Sequence, residues 1–285
     1  MEISAKDVAA LREKTGVGMM DCKKALTEAG GDFDKAEEIL REKGLSKVRK
    51  RSERAADEGK IVAILTDDMK NGVMLELNSE TDFVARTDDF VNFAEELSMA
   101  ILQDNPSDSQ WQNLDLDGET AGAKLDALSA KLGEKLEMRR FVRYEAAEGN
   151  LLDAYIHGGG KLGVMLEAKV DGDKGKAQTV MHDLAMQIAA ASPSAVCREE
   201  VPSEEIEKEL EIYRIQARNE GKPEKVIDRI AEGKIGKYFS EICLLEQPFV
   251  KEPKTPIADY LKSVKKEQGI DVDPVRYERF ALGGN

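Results

Sequence analysis

Two words occur twice in this chain, in the same order. Gly-Val-Met-Leu-Glu stands at Gly72 to Glu76 and again at Gly163 to Glu167, and Val-Arg-Tyr-Glu stands at Val142 to Glu145 and again at Val275 to Glu278. Around the first word, "EGKIVAILTDDMKNGVMLELN" (58–78) and "EGNLLDAYIHGGGKLGVMLEAK" (148–169) share an opening Glu-Gly, an alternating strand pattern and a turn. Each reads as a β-hairpin. A repeat of this kind restricts the fold more tightly than composition can, because whatever one copy builds the other must build again. In both copies a helical segment then runs to a proline, "DDFVNFAEELSMAILQDNP" in the first and "VMHDLAMQIAAASP" in the second.

The spacings of the repeated words disagree, and the disagreement locates an insertion. Gly72 and Gly163 stand 91 residues apart, whereas Val142 and Val275 stand 133 apart, so the second copy carries 42 additional residues between its helix and its last strand. Val201 to Gln247 fits in length and character: two amphipathic helices joined by Gly221-Lys222-Pro223. Ile206, Leu210, Tyr213 and Ala217 are expected to face Val226, Ile230, Tyr238 and Ile242 across this hairpin. Such an arm leaves apolar surface free, to be covered by a partner or by a second copy of the chain, so a homodimer is one expectation.

Ahead of the repeat, apolar residues fall at helical spacing, with Ser4 and Asp7 as a start box and glycines at Gly16, Gly18, Gly30 and Gly31 as breaks. Three short helices are expected, at about 4–14, 20–29 and 33–43, around a core of Val8, Leu11, Cys22, Ala25, Leu26, Ala36, Ile39 and Leu40. Met19 and Met20 fall at the turn, where a methionine suits a docking patch and a gap in the bundle equally well. The fold class is therefore α+β: an amino-terminal three-helix bundle, a duplicated core of antiparallel sheets backed by helices, and an inserted helical hairpin. The expected boundaries are 1–55 for the bundle and a linker, 56–146 for the first core subdomain, 147–200 and 247–285 for the two parts of the second, and 201–246 for the hairpin.

Charge and cysteine content narrow the chemistry. The formal net charge of -14 repels phosphate backbones, which argues against direct nucleic-acid binding and against anionic membranes. The one basic run, Lys47 to Arg54, is read as a solvated linker helix. Cys22, Cys197 and Cys243 are odd in number and far apart, unlike a disulfide framework or a metal site, and suit a cytoplasmic location. No apolar run has the length of a signal peptide core or a membrane span, so neither export nor anchoring is expected.

A search for catalysis gives refusals. "HGGGKLG" satisfies a G-x-G-x-x-G pattern through Gly158, Gly160 and Gly163, but it leads into a strand where a dinucleotide site needs a helix. His157 and His182 have no second ligand at helical spacing, so no metal site and no cofactor are expected. His157, beside glycines at a strand end, could serve an interface or pin its own turn. No serine or cysteine occupies a recognisable nucleophile elbow, and no catalytic residue is assigned. One oddity is left. In "NSETDFVARTDDF" (78–90) a phenylalanine, Phe83, sits among acids; from spacing alone it suits either an exposed ring or a core residue under the helix that Thr87 caps, near Phe90 or Phe93.

The segments "LREKTGVGMMDCKKALTEAGGDFDKAEEILREKG", "NSETDFVAR", "AMQIAAASP" and "EQPFVKE" resemble, in that order, the signature segments of the elongation factor Ts family, the bacterial guanine-nucleotide exchange factors of elongation factor Tu. The similarity runs from Val8 to about Ala281. It implies that the amino-terminal bundle is similar to ubiquitin-associated (UBA) domains and docks on the nucleotide domain of the Tu factor, which makes Met19 and Met20 contact candidates. It further implies that Thr81, Asp82, Phe83 and Val84 lie beside the partner's Mg²⁺ site, with Phe83 as a wedge and Asp82 disturbing the groups that hold the metal. The second subdomain would hold another domain of the partner, with His157 and the segment 182–191 as candidates. The extra carboxy-terminal helix of some members has no counterpart after "YERFALGGN", so its contribution is not expected here.

Overall fold

The computed structural model of the protein describes residues 3–15, 19–36, 38–40 and 55–284. Gly16 and Gly18, the end of the third amino-terminal helix at 41–43 and the basic run 47–54 lie outside the described residues. The class is α+β, and the described residues group into two compact units. The first takes the described residues through Val62, then Leu75–Phe141 and 282–284; the second takes Ala63–Met74 and Val142–Ala281.

The amino-terminal helices form as their caps direct. Helix α1 (Ala5–Thr15) opens on a closed capping box: the Asp7 amide donates to Ser4 Oγ at 3.1 Å, and the Ser4 amide donates back to Asp7 Oδ2 at 3.3 Å. Helix α2 (Met19–Glu28) ends where Gly30 and Gly31 take positive φ, and the Gly31 amide closes onto the Leu26 carbonyl. Asp32 then caps a third stretch, α3 (33–36 and 38–40), by accepting from the amides of Asp34 and Lys35. Val8, Leu11, Cys22, Ala25, Leu26, Ala36 and Leu40 are buried together, while Ile39 only borders the cluster.

The duplicated core appears as two three-stranded sheets of the same plan. In one, β1 (Glu58–Leu65), β2 (Asn71–Ser79) and β5 (Leu136–Glu145) run in the order β1-β2-β5; in the other, β6 (Asn150–His157), β7 (Leu162–Asp171) and β10 (Asp271–Ala281) run in the order β10-β7-β6. Both copies of Gly-Val-Met-Leu-Glu thus lie on the central strand, and both copies of Val-Arg-Tyr-Glu on the last strand of each sheet in chain order. Each long helix after the central strand, α5 (Asp88–Asp104) and α7 (Lys174–Ala191), ends in a left-handed residue, Asn105 and Ser192. A small hairpin follows in each copy, β3–β4 (Asp115–Leu116, Glu119–Thr120) and β8–β9 (Pro248–Phe249, Glu252–Pro256). A twelve-residue helix then leads into the last strand: α6 (Ala121–Leu132) and α10 (Ile257–Gln268).

The identical glutamates of the repeated word are both buried and both paired. Glu76 accepts from Arg140 Nε at 2.7 Å, and Glu167 accepts from Arg276 Nε at 2.6 Å, from Asn150 Nδ2 at 2.7 Å and from the Ala147 amide at 2.9 Å. A carboxylate taken out of water needs such donors, or it would cost more than the strand gains. At Gly72 of the first word a Cβ would lie 2.5 Å from Leu65 Cδ2, so a side chain there would have to displace that leucine's end.

The insertion is the expected helical hairpin, α8 (Ser203–Asn219) and α9 (Glu224–Ile242), turned through Gly221 at φ +72°. Its packing face is rotated from the expected one. Ala217 is buried on α8, but on α9 the buried positions are Ile227, Ala231 and Phe239, with Val226 and Ile230 only half-buried. The buried row on α9, at four-residue spacing, lies one residue on from the expected one, and Phe239 packs with Ala195, Val201 and Cys243 at the root of the hairpin, where Tyr238 and Ile242 border the same cluster. At the root of the hairpin a buried amide pair joins three elements. Gln187 Nε2 donates to Gln247 Oε1, and Gln247 Nε2 donates to the Glu241 carbonyl at 2.8 Å.

Candidate functional site

The acidic segment that carries Phe83 folds as a four-residue helix, α4 (Asp82–Ala85), between β2 and α5. Thr81 begins it, its hydroxyl accepting from the Val84 amide, and Thr87 ends it by donating its hydroxyl to the Val84 carbonyl at 2.8 Å. The same Thr87 hydroxyl accepts from the Phe90 amide and so caps α5. Successive residues of a helix turn by about 100°, so Phe83 and Ala85 point about 200° apart. Ala85 is 4% exposed and anchors the helix; Phe83 is 80% exposed. The ring is therefore not part of the core under α5, which Phe90 and Phe93 fill instead.

Two contacts from a distant turn hold α4 in place. Glu134, which follows the left-handed cap Gly133 of α6, accepts from the Thr81 amide at 2.9 Å and from the Thr81 hydroxyl at 2.7 Å. Its neighbour Lys135 donates its amide to Glu80 Oε1 at 2.7 Å. Ser79 adds a third tie by donating to the Thr81 carbonyl at 2.8 Å.

The acids around the ring have identifiable partners. Asp82 pairs with Arg86 one turn on, at 2.6 Å, and Asp89 pairs with Lys131 of α6 at 2.8 Å. Both pairs are solvent-exposed, and pairs of that kind are worth at most about 1 kcal/mol, so Asp82 can be surrendered to another molecule at little cost. The adjacent Asn78 is buried; its Oδ1 has no hydrogen-bond partner within the described residues.

Of the other candidates, Met19 and Met20 are exposed at the start of α2, by 43% and 66%, and do not fill the bundle. An open groove beside Met20 is lined by Lys23, Lys24, Thr27 and Glu28. His157 is exposed at the end of β6, and its Nδ1 lies 2.7 Å from the Tyr155 hydroxyl, so the ring is tied to its own strand. Tyr155 also meets His182 edge to face, and His182 Nδ1 lies 3.1 Å from Asp153 Oδ2. Burial raises the Asp153 carboxyl above its ordinary value, and the proximity of His182 works against that rise. Within 182–191, Leu184, Ala185, Gln187, Ile188 and Ala189 are buried in the core of the second unit, which leaves His182 as the exposed member of the Asp153 pair. Asp82, Phe83 and Val84 thus share one short helix that Thr81 caps, while Met19, Met20 and His157 lie on other elements.

Glu134 had no local signal in the sequence. It touches Thr81 across 53 positions, and only its place just after a helix-ending glycine marks it. Among the described residues no three His, Cys, Asp or Glu side chains gather as a metal site, and no helix is long and apolar enough to cross a membrane.

A family model described as Elongation factor TS matches residues 80–284. An elongation factor Ts of Clostridium botulinum (strain Eklund 17B) is 46% identical over 283 residues, spanning 99% of this chain and 93% of the relative. Another, of Aquifex aeolicus (strain VF5), is 43% identical over 293 residues, spanning 100% of this chain and 99% of the relative. A third, of Chlorobium phaeobacteroides (strain BS1), is 45% identical over 288 residues, spanning 99% of both.

Proposed function

This chain belongs to the elongation factor Ts family of translation elongation factors, and from that premise we propose that it is the guanine-nucleotide exchange factor of an elongation factor Tu. The observation that carries the reading is the ring of Phe83, 80% exposed on a helix whose first residue is hydrogen-bonded to Glu134 of the same unit. A large aromatic left in water on a braced element is what a wedge into a partner requires, and such anchors commonly contribute about 2 kcal/mol or more to an interface.

The mechanism is linkage. A bound guanine nucleotide is held by P-loop amides, a lysine and a Mg²⁺ ion that bridges the phosphates. A protein that binds better to the partner's arrangement without Mg²⁺ and nucleotide must weaken nucleotide binding by the same factor, and incoming GTP then expels it by the reciprocal route. No bond is made or broken, so the chain is not an enzyme. Phe83 enters the partner beside its metal site, and Asp82, released from its exposed pair with Arg86, disturbs the groups and waters that hold Mg²⁺. Thr81 and Val84 complete the contact. Met19 and Met20 on a UBA-like bundle dock on the partner's nucleotide domain, and His157 meets another of its domains in the cytoplasm. The net charge of -14 keeps direct nucleic-acid contact out of this scheme.

The test is release of fluorescent GDP from the Tu factor, chased with unlabelled GDP, with and without this chain. Acceleration at substoichiometric amounts supports exchange, whereas binding with an unchanged release rate would make the chain an adaptor.

A further inference from the structure

The two copies of the core meet the same structural junction, where the exit of the central strand passes the end of the second helix, and they resolve it in opposite ways. In the second copy the passage is tight and apolar. β7 turns directly into α7 through Gly172, where a Cβ would lie 2.9 Å from the Gly269 carbonyl oxygen, and the residue after that helix-ending glycine is the buried Ile270. In the first copy the glycine that ends α6 is followed by a charged residue, Glu134, and the strand exit is lengthened by α4.

Glu134 fills that junction with hydrogen bonds where Ile270 fills its own with packing. Its carboxylate takes both donors of Thr81, the amide at 2.9 Å and the hydroxyl at 2.7 Å. The Thr81 hydroxyl, oriented as a donor toward Glu134, keeps its lone pairs free to accept from Val84 and start α4. Glu134 is itself set by the Ser129 hydroxyl, which donates to its carbonyl, and by the Lys135 amide bond to Glu80. A four-residue helix is far too short to persist by itself, so its direction must come from what holds its first residue.

We propose that Glu134 is the positioning residue of the exchange site: it touches no nucleotide and no metal, and it acts by fixing Thr81, and through Thr81 the direction in which Phe83 leaves the surface. This rests on the functional reading above, which places Phe83 at the partner's metal site. Removing the carboxylate frees α4 to reorient, so the ring reaches its target in only a fraction of the encounters.

Two measurements on the full chain test the proposal separately from that reading. The first needs no partner. Hydrogen exchange at the amides of Ala85, Arg86 and Thr87, which close α4, should quicken in Glu134→Ala while the amides of α5 stay protected. Equal protection of α4 in both proteins would overturn the proposal. The second is a double-mutant cycle on GDP release. Glu134→Ala should slow stimulated release by about tenfold in the wild-type background and lose most of that effect in Phe83→Ala, because the residue acts chiefly through the direction of the ring. Glu134→Gln, which keeps one acceptor and the side-chain length, should recover part of the rate with an unchanged melting temperature, and that variant stands in if Glu134→Ala folds poorly. Independent, additive losses overturn the positioning role alone. If Phe83→Ala stimulates GDP release from the Tu factor as fast as wild type, the functional reading and the positioning role fall together.

Discussion

Phe83 and Phe90 stand seven residues apart on consecutive helices and have opposite surroundings: the first ring is 80% exposed, the second fully buried. Replacing each by alanine therefore separates function from stability. Phe90→Ala should cost about 3–5 kcal/mol of folding stability. Phe83→Ala should leave stability within about 0.5 kcal/mol and slow stimulated GDP release by about thirtyfold, the equivalent of ~2 kcal/mol. Thermal melting and stopped-flow release on the two variants give both numbers.

Met20 offers a second, milder test. Its side chain is more exposed than that of Met19, and its truncation leaves the buried cluster of Val8, Leu11, Cys22 and Leu26 untouched. Met20→Ala is expected to weaken association with the partner by about tenfold or less, measured by calorimetry, with an unchanged melt. A change in the melt without a change in affinity would assign Met20 to packing.

Glu167 links stability to pH. Burial pushes its carboxyl up, but the hydrogen bonds from Asn150, the Ala147 amide and Arg276, together with the Arg276 charge, outweigh burial and hold it below the ordinary carboxylate range. A carboxyl depressed in the folded state contributes stability that is complete above the unfolded value, about 4.3, and is lost as pH falls through the folded value. The contribution of Glu167 to the urea midpoint should therefore be constant from neutrality to about pH 5 and fall below it, so Glu167→Gln should lose less of its own midpoint between about pH 5 and 3 than the wild type does. Identical acid profiles for the two proteins would clear Glu167 of the effect.

The Gln187–Gln247 pair ties α7 to the root of the hairpin, so Gln247→Ala removes one acceptor of Gln187, which keeps its bonds to the Pro248 carbonyl and the Val250 amide, and removes the donor to the Glu241 carbonyl. A cost of about 1–3 kcal/mol is expected in urea unfolding. A neutral outcome would mean that water reaches the root.

How much of this the sequence disclosed follows from the reach of each signal. The repeated words named the central and last strands because a duplicated pattern needs no structure to be seen, and the caps at Ser4 and Thr87 are written within three or four residues of what they cap. The oddity of Phe83 was legible as a question, but its exposure was decided by Ala85 turning inward on a helix of only four residues, too short for any periodicity to register. Ile227 and Val226 are adjacent apolar residues on α9, and helical spacing alone does not say which of the two rows they begin is the buried one. Glu134 was illegible because its partner lies 53 residues away, and no local rule joins the end of one helix to the start of another.

The affinity of this chain for a Tu factor in two states bears most directly on the linkage mechanism. Binding to the nucleotide-free, Mg²⁺-free partner should be tighter than binding to the GDP·Mg²⁺ form by about a hundredfold or more, and the Kd of GDP should weaken by the same factor in the presence of the chain. Equal affinity for the two states, whatever its absolute strength, would contradict exchange by this route, since a protein that binds both alike shifts nothing.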